Sequence, residues 1–219
     1  MGKDFTSTRG DDNVFTPYSM TEQLLENEKF DNTKKTLEPS CGKKLAIVKI
    51  LKKNEFNDVM FGDINLEQCN QDFLTAKFSV YQKIDYIITN PPYSKLDDFI
   101  IKSKKVATEK FAFLCKLTHL GGVERFTTGI FKDENYPLTK IYLFTRQANL
   151  RFTNDEQEKK GYMKYRELRE DKCYPAGMYY YNWMIFEKNN GQIKLDEIPQ
   201  LKWINNNKYI LRKNVDRIG

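Results

Sequence analysis

The sequence predicts an α/β protein built on an open, mostly parallel sheet, and three stretches carry that expectation. Lys35-Thr36-Leu37 reads as a strand, runs through the small-residue loop Glu38-Pro39-Ser40-Cys41-Gly42, and enters a helix from about Lys43 to Asn54. That is the first half of a βαβ nucleotide-binding unit, in which the helix N-terminus receives a negative group. Asp85-Tyr86-Ile87-Ile88-Thr89 reads as a buried strand running straight into Asn90-Pro91-Pro92-Tyr93. Two prolines can neither continue a strand nor sit inside a helix, so the chain leaves the sheet in a rigid corner. Phe111 to Leu117 is a near-continuous apolar run, as in a strand covered on both faces.

The remaining elements follow in order. Val14 to Tyr18 is a compact aromatic turn, by itself a hydrophobic staple, and Ser19 is placed to cap a helix through Thr21–Glu26. Asp58 to Gly62 is a second strand, closed by Asp63 at 21 positions after Gly42. An acid about 20 residues beyond a glycine loop accepts ribose hydroxyls in dinucleotide-binding folds, and a turn cap for a helix near Leu66 is the equal alternative. Asp72-Phe73-Leu74 falls in a loop, with a buried phenylalanine as its plainest reading. Ser94 or Asp97 is expected to cap a helix reaching about Ala107, and a helical stretch is expected over Val123–Phe131. Strands are expected at Lys140–Thr145 and Met178–Phe186. His119, the sole histidine, reads as structural, because nothing near it has metal-ligand spacing. No metal site is expected.

The chain has 219 residues, 40% of them hydrophobic and 14% aromatic, which suits one globular domain. No apolar run reaches the length of a membrane span, and the polar first residues predict a cytoplasmic protein. Cys41, Cys69, Cys115 and Cys173 form no CxxC pair and are expected to be reduced thiols. Residues 1–110 carry 17 basic and 17 acidic side chains, whereas residues 111–219 carry 19 and 13, so the net charge of +6 lies wholly in the second half. Between the last two expected strands, Arg146, Arg151, Lys159, Lys160, Lys164, Arg166 and Arg169 alternate with Phe152, Tyr162 and Tyr165. Cations mixed with aromatics suit a surface that holds phosphates and stacks on bases; an ordinary solvated loop is the competing reading.

Asn90-Pro91-Pro92-Tyr93, taken with the preceding motifs in their order, resembles the signature of class I S-adenosylmethionine-dependent methyltransferases, and most closely the short, phage-type DNA adenine-N6 methyltransferases. The resemblance covers roughly residues 14–187. It implies a seven-stranded Rossmann-like sheet with an antiparallel strand near 178–187. It also implies a catalytic domain over 14–190, with 146–175 as an inserted basic loop and 191–219 as a C-terminal extension. Phe15, Thr16 and Pro17 are similar to the family's motif beside the cofactor, Glu38, Pro39, Ser40 and Gly42 to its cofactor loop, and Asp63 with Ile64 to its ribose-binding acid and neighbour. Asp72 and Phe73 are similar to the motif that meets the cofactor adenine, and Asn90 borders the cofactor as well. The family's second loop glycine is replaced here by Lys44.

By that resemblance the expected reaction is methyl transfer from S-adenosylmethionine to the exocyclic amine of a flipped-out adenine in DNA. Asn90 and the Pro91 carbonyl would accept the amine's hydrogen bonds, Pro92 would stiffen the corner and Tyr93 would stack on the base. The seven basic residues from Arg146 to Arg169 would hold the DNA backbone, and a cognate restriction nuclease is a partner such enzymes can have. Methylation of RNA or of a protein glutamine is the alternative, as is an inactive nucleic-acid-binding module on the same fold.

Overall fold

A computed structural model of the chain describes residues 16–78, 82–123, 125, 128–145 and 180–204. Phe15 and the basic residues Arg146, Arg151, Lys159, Lys160, Lys164, Arg166 and Arg169 lie outside the described residues. The chain runs α1 (Tyr18–Asn27), β1 (Thr36–Glu38), α2 (Ala46–Lys53), β2 (Val59–Phe61), β3 (Ile84–Thr89), α3 (Leu96–Val106), β4 (Ala107–Lys116), β5 (Leu138–Phe144), β6 (Tyr181–Glu187) and β7 (Gln200–Ile204). The strands form one seven-stranded sheet in the order β2-β1-β3-β4-β6-β5-β7. β6 pairs antiparallel with both β4 and β5, and every other pairing is parallel. The expected mostly parallel sheet with an antiparallel strand near 178–187 is therefore what the chain forms. No described helix is long and apolar enough to cross a membrane.

Side-chain alternation sorts the core onto two faces. On β4, Phe111, Phe113 and Cys115 join Phe99 and Ile100 of α3, while Ala112 and Leu114 join Met20 and Leu24 of α1 and Ile47 and Leu51 of α2. A strand covered on both faces needs apolar residues at every position, which is why 111–115 reads as a continuous run.

Several expected boundaries are corrected. Pro17, not Ser19, is the N-cap of α1, since its ring holds φ at −60° while its carbonyl accepts the Met20 N–H at 3.0 Å. Helix α2 begins at Ala46 rather than Lys43, because Gly42 (φ 58°) and Leu45 (φ 51°) are both left-handed and a turn separates strand from helix. Neither Ser94 nor Asp97 caps α3; the chain turns through a short 3-10 segment at Tyr93–Lys95 and Lys95 is the N-cap. Residues 128–132 form a turn closed by the Lys132 N–H on the Gly129 carbonyl, not the end of a helix. Finally, β7 pairs parallel with β5, so residues 200–204 supply a strand of the sheet that the sequence did not announce.

α1 is fixed across the sheet at both ends. The fully buried Trp183 of β6 donates Nε1–H to the Met20 carbonyl at 3.0 Å. At the other end, Glu28 accepts from Lys110 at 2.8 Å, from Lys140 at 3.1 Å and from the Tyr142 hydroxyl at 2.8 Å. Glu187 contacts the same two lysines, each at 3.2 Å. Burial pushes the Glu187 carboxyl up, but the Thr139 hydroxyl and the two ammonium groups outweigh it and hold the pKa below the usual range. Its stabilisation is complete above the carboxyl's unfolded pKa and is lost as pH falls through the lowered folded value. Glu28→Gln keeps the shape and removes the charge from this buried cluster. Urea titration at pH 7 is expected to show a loss of about 2 kcal/mol, with unchanged midpoints overturning the assignment.

Candidate functional site

From β1 the chain crosses to β2 on one side and then to β3 on the other, so the sheet has its topological switch point between β1 and β3. In open α/β sheets ligands bind outside the carboxyl ends of the strands at such a point. Glu38 ends β1 and Thr89 ends β3, which brings the small-residue loop and the tetrapeptide together there.

The loop is held by its neighbours. Gly62 donates its N–H to the Glu38 carbonyl and Cys41 donates to the Gly62 carbonyl, both at 3.0 Å. Asp63, 9% exposed, accepts the Gly42 N–H on Oδ2 at 2.9 Å and the Asn65 N–H on Oδ1 at 2.8 Å. The acid at the end of β2 therefore binds the glycine of the loop directly. A Cβ on Gly42 would meet nothing within 4 Å, so the left-handed backbone, not space, is what calls for glycine. Ile64, next to Asp63, is 58% exposed at this edge. Lys44 is half-buried, and the second left-handed position falls one residue later, on Leu45. Ser40 is half-buried and Pro39 buried. The Cys41 thiol contacts that of Cys69.

Glu38 is the electrostatic centre of the crevice and is wholly buried. Its Oε1 accepts the Thr89 hydroxyl at 2.5 Å and the Ser40 N–H at 3.0 Å. Its Oε2 is buried with no hydrogen-bond partner among the described residues. Burial pushes the pKa up to about 8, the Thr89 and Ser40 hydrogen bonds oppose that rise, and the Asp63 charge adds to it.

Asn90 is half-buried and donates Nδ2–H to the hydroxyl oxygen of Thr16 at 3.0 Å. Pro91 is buried and Pro92 half-buried, and the Pro92 carbonyl accepts the Lys95 N–H at 2.9 Å. The Tyr93 ring lies 4.9 Å from the His119 ring, and the Lys116 ammonium sits 5.1 Å over the same tyrosine. From sequence His119 is expected to be structural only, and Lys116 carries no expected role. They arrive because β4 lies beside β3, so residues leaving the two strands meet. The usable signal is position, since both follow a buried run at its carboxyl end.

Asp72 and Phe73 have a local geometry of their own. The Asp72 carboxylate accepts the Leu74 N–H at 2.9 Å and the Thr75 hydroxyl at 3.1 Å, closing a turn. Phe73 is 3% exposed and packs on Phe99 at 5.1 Å between ring centroids. No group of three or more histidine, cysteine or acidic side chains that could hold a metal occurs among the described residues. The assembled chemistry is thus a rigid amide and carbonyls beside a ring, next to a buried acid with one unpartnered oxygen.

No family model matches the chain, and no curated protein matches it. Solved structures do. A candidate class I S-adenosylmethionine-dependent methyltransferase from Listeria monocytogenes superposes with a TM-score of 0.59 at 13% identity, over 89% of this chain and 67% of that one. The methyltransferase subunit of a type I restriction-modification system from Streptococcus thermophilus gives 0.51 at 12% identity, over 82% of this chain and 46% of that one. A candidate hemolysin from Lactococcus lactis gives 0.52 at 10% identity, over 90% and 95%. At these identities the likeness is one of fold: the chain has the Rossmann-like fold of the class I methyltransferases, and spans less than half of the restriction-modification subunit.

Proposed function

We propose that the chain is an S-adenosylmethionine-dependent methyltransferase acting on the exocyclic N6 amine of adenine in DNA. The observation that carries the reading is the meeting of Asn90-Pro91-Pro92-Tyr93 with the Glu38–Gly42 loop at the switch point of this sheet. The crevice suits that cofactor on one structural ground. Glu38 Oε2 is a sealed acceptor without a partner, and the cofactor is cationic at both its ammonium and its sulfonium. Glu38, Ser40 and Gly42 would hold its amino-acid end, and Asp63 with Ile64 its nucleoside. Asp63 keeps acceptor capacity for ribose hydroxyls, since a carboxylate offers about four lone-pair sites and two backbone N–H groups occupy it here. When bound, the cofactor supplies an activated methyl group.

The work of the chain's own residues is done with neutral groups. The lone pair of an adenine amine is delocalised into the ring, so the amine attacks poorly while it is planar. Asn90 Oδ1 and the Pro91 carbonyl, accepting its two N–H bonds, favour the pyramidal nitrogen. The methyl group would pass to this nitrogen, which would then give up one proton to solvent, while the two acceptors keep its N–H bonds directed away from the incoming carbon. The prolines preorganise both acceptors, and Tyr93 offers its ring to the flipped base. The basic stretch Arg146 to Arg169 is proposed to hold the DNA backbone. Its described flanks, Thr145 after β5 and Tyr180 before β6, both lie at the carboxyl edge that bears Asn90.

The test is transfer of a radiolabelled methyl group to DNA, RNA and a glutamine-bearing protein, alongside calorimetric titration with the cofactor. Label in N6-methyladenine of DNA is the expected result. Label only in RNA or protein moves the substrate, and DNA binding with no cofactor binding at millimolar concentration leaves a non-catalytic module.

A further inference from the structure

We propose that Thr16 is a positioning residue for Asn90, its hydroxyl oxygen fixing which end of the Asn90 amide faces the reacting amine. The proposal rests on the methyltransferase reading above and adds to it a role the family resemblance does not give, since that places Thr16 beside the cofactor. Thr16 is 6% exposed, and its oxygen accepts Asn90 Nδ2–H at 3.0 Å across 74 positions of sequence. An amide has one accepting and one donating end, and half a turn about its last torsion exchanges them. Only the accepting end can bind an amine N–H. With Nδ2 turned to Thr16, Oδ1 is the end directed the other way.

The placement of Thr16 follows from the helix behind it. Pro17 caps α1 with φ −60° and ψ 134°, the Met20 N–H closes on the Pro17 carbonyl, and the Met20 carbonyl is taken by Trp183 of the central sheet. Met20 and Leu24 pack into the core on the same face of the sheet as Trp183. The N-terminal helix thus brings one hydroxyl to the end of β3. That explains why a residue remote in sequence belongs to the tetrapeptide's machinery.

Thr16→Val keeps the shape and removes the acceptor, and Thr16→Ser keeps the acceptor. In the uniformly 15N-labelled full chain, the Asn90 side-chain amide is identified by its disappearance in Asn90→Asp. Its proton resonances are expected to move in Thr16→Val and to stay near their wild-type positions in Thr16→Ser. The kcat for methyl transfer is expected to fall about tenfold in Thr16→Val and to be largely restored in Thr16→Ser. The cofactor Kd from calorimetry is expected to change by less than about threefold, as the lost hydrogen bond is not to the cofactor. An Asn90 amide unmoved by Thr16→Val, or a defect found wholly in the cofactor Kd, overturns the proposal. A wild-type chain that transfers no methyl group to DNA would sink the proposed substrate instead, and the resonance comparison would still decide the contact.

Discussion

Asn90→Ala is expected to lower kcat for methyl transfer to adenine-containing DNA by about a hundredfold or more, with little change in the KM for DNA. As the methyl group arrives, the amine nitrogen becomes tetrahedral and positively charged, and its N–H bonds become stronger donors. An acceptor held still at that point gains strength between ground state and transition state, which is the interaction that raises kcat. Asn90 is held at its amide nitrogen by Thr16, and its backbone follows a strand end where the Thr89 hydroxyl is bound to Glu38 at 2.5 Å. Asn90→Asp retains an acceptor and is expected to fall between wild type and alanine. Single-turnover kinetics on a duplex would make the comparison, with circular dichroism confirming that each variant is folded. Equal rates for wild type and alanine would remove Asn90 from the mechanism.

What could be read from the chain alone depended on how local the cause was. The strand at 84–89 and its corner were legible, because a short apolar run and two prolines act within a few residues. The link between Gly42 and Asp63 was legible only as a spacing of 21, and the structure turns it into a hydrogen bond of 2.9 Å. The start of α2 was not legible. Leucine rarely takes a positive φ, so nothing at Leu45 announces that the helix waits until Ala46. β7 was not read as a strand because Leu201 and Trp203 alternate with Gln200 and Lys202 over only five residues, too short a pattern to tell a strand from an isolated apolar stretch. The approach of Lys116 and His119 to Tyr93, and of Thr16 to Asn90, depends on strand order and on where α1 crosses the sheet. Both are set by packing among residues far apart in sequence.

The second large effect is expected at Glu38, and it reverses the usual behaviour of a buried carboxylate. Its folded pKa of about 8 lies above the 4.5 usual for a glutamate, chiefly through burial, so between those values the folded chain holds a proton that the unfolded chain releases. The group's contribution to stability is complete below pH 4.5, declines as pH rises toward about 8, and is flat above that. Glu38→Gln keeps an Oε1 acceptor for Thr89 and Ser40 and cannot ionise. Without cofactor, its stability advantage over wild type is expected to grow with pH and to level off above pH 8, at on the order of a few kcal/mol. Urea titrations at pH 5, 6.5, 8 and 9 measure this, and parallel pH profiles for the two proteins would refute it. Among the described residues the titratable groups acting on Glu38 are Asp63 from the end of β2 and Cys41 from its own loop, and neither supplies a positive charge. A cationic ligand in the crevice would supply it, ionising Glu38 and giving Oε2 the partner it lacks. Cofactor binding near neutral pH is therefore expected to release up to about one proton. The release is seen as a dependence of the calorimetric enthalpy on the ionisation enthalpy of the buffer, and is absent in Glu38→Gln. The same acid that lowers the stability of the ligand-free fold at high pH thereby favours the charged molecule the site is proposed to hold.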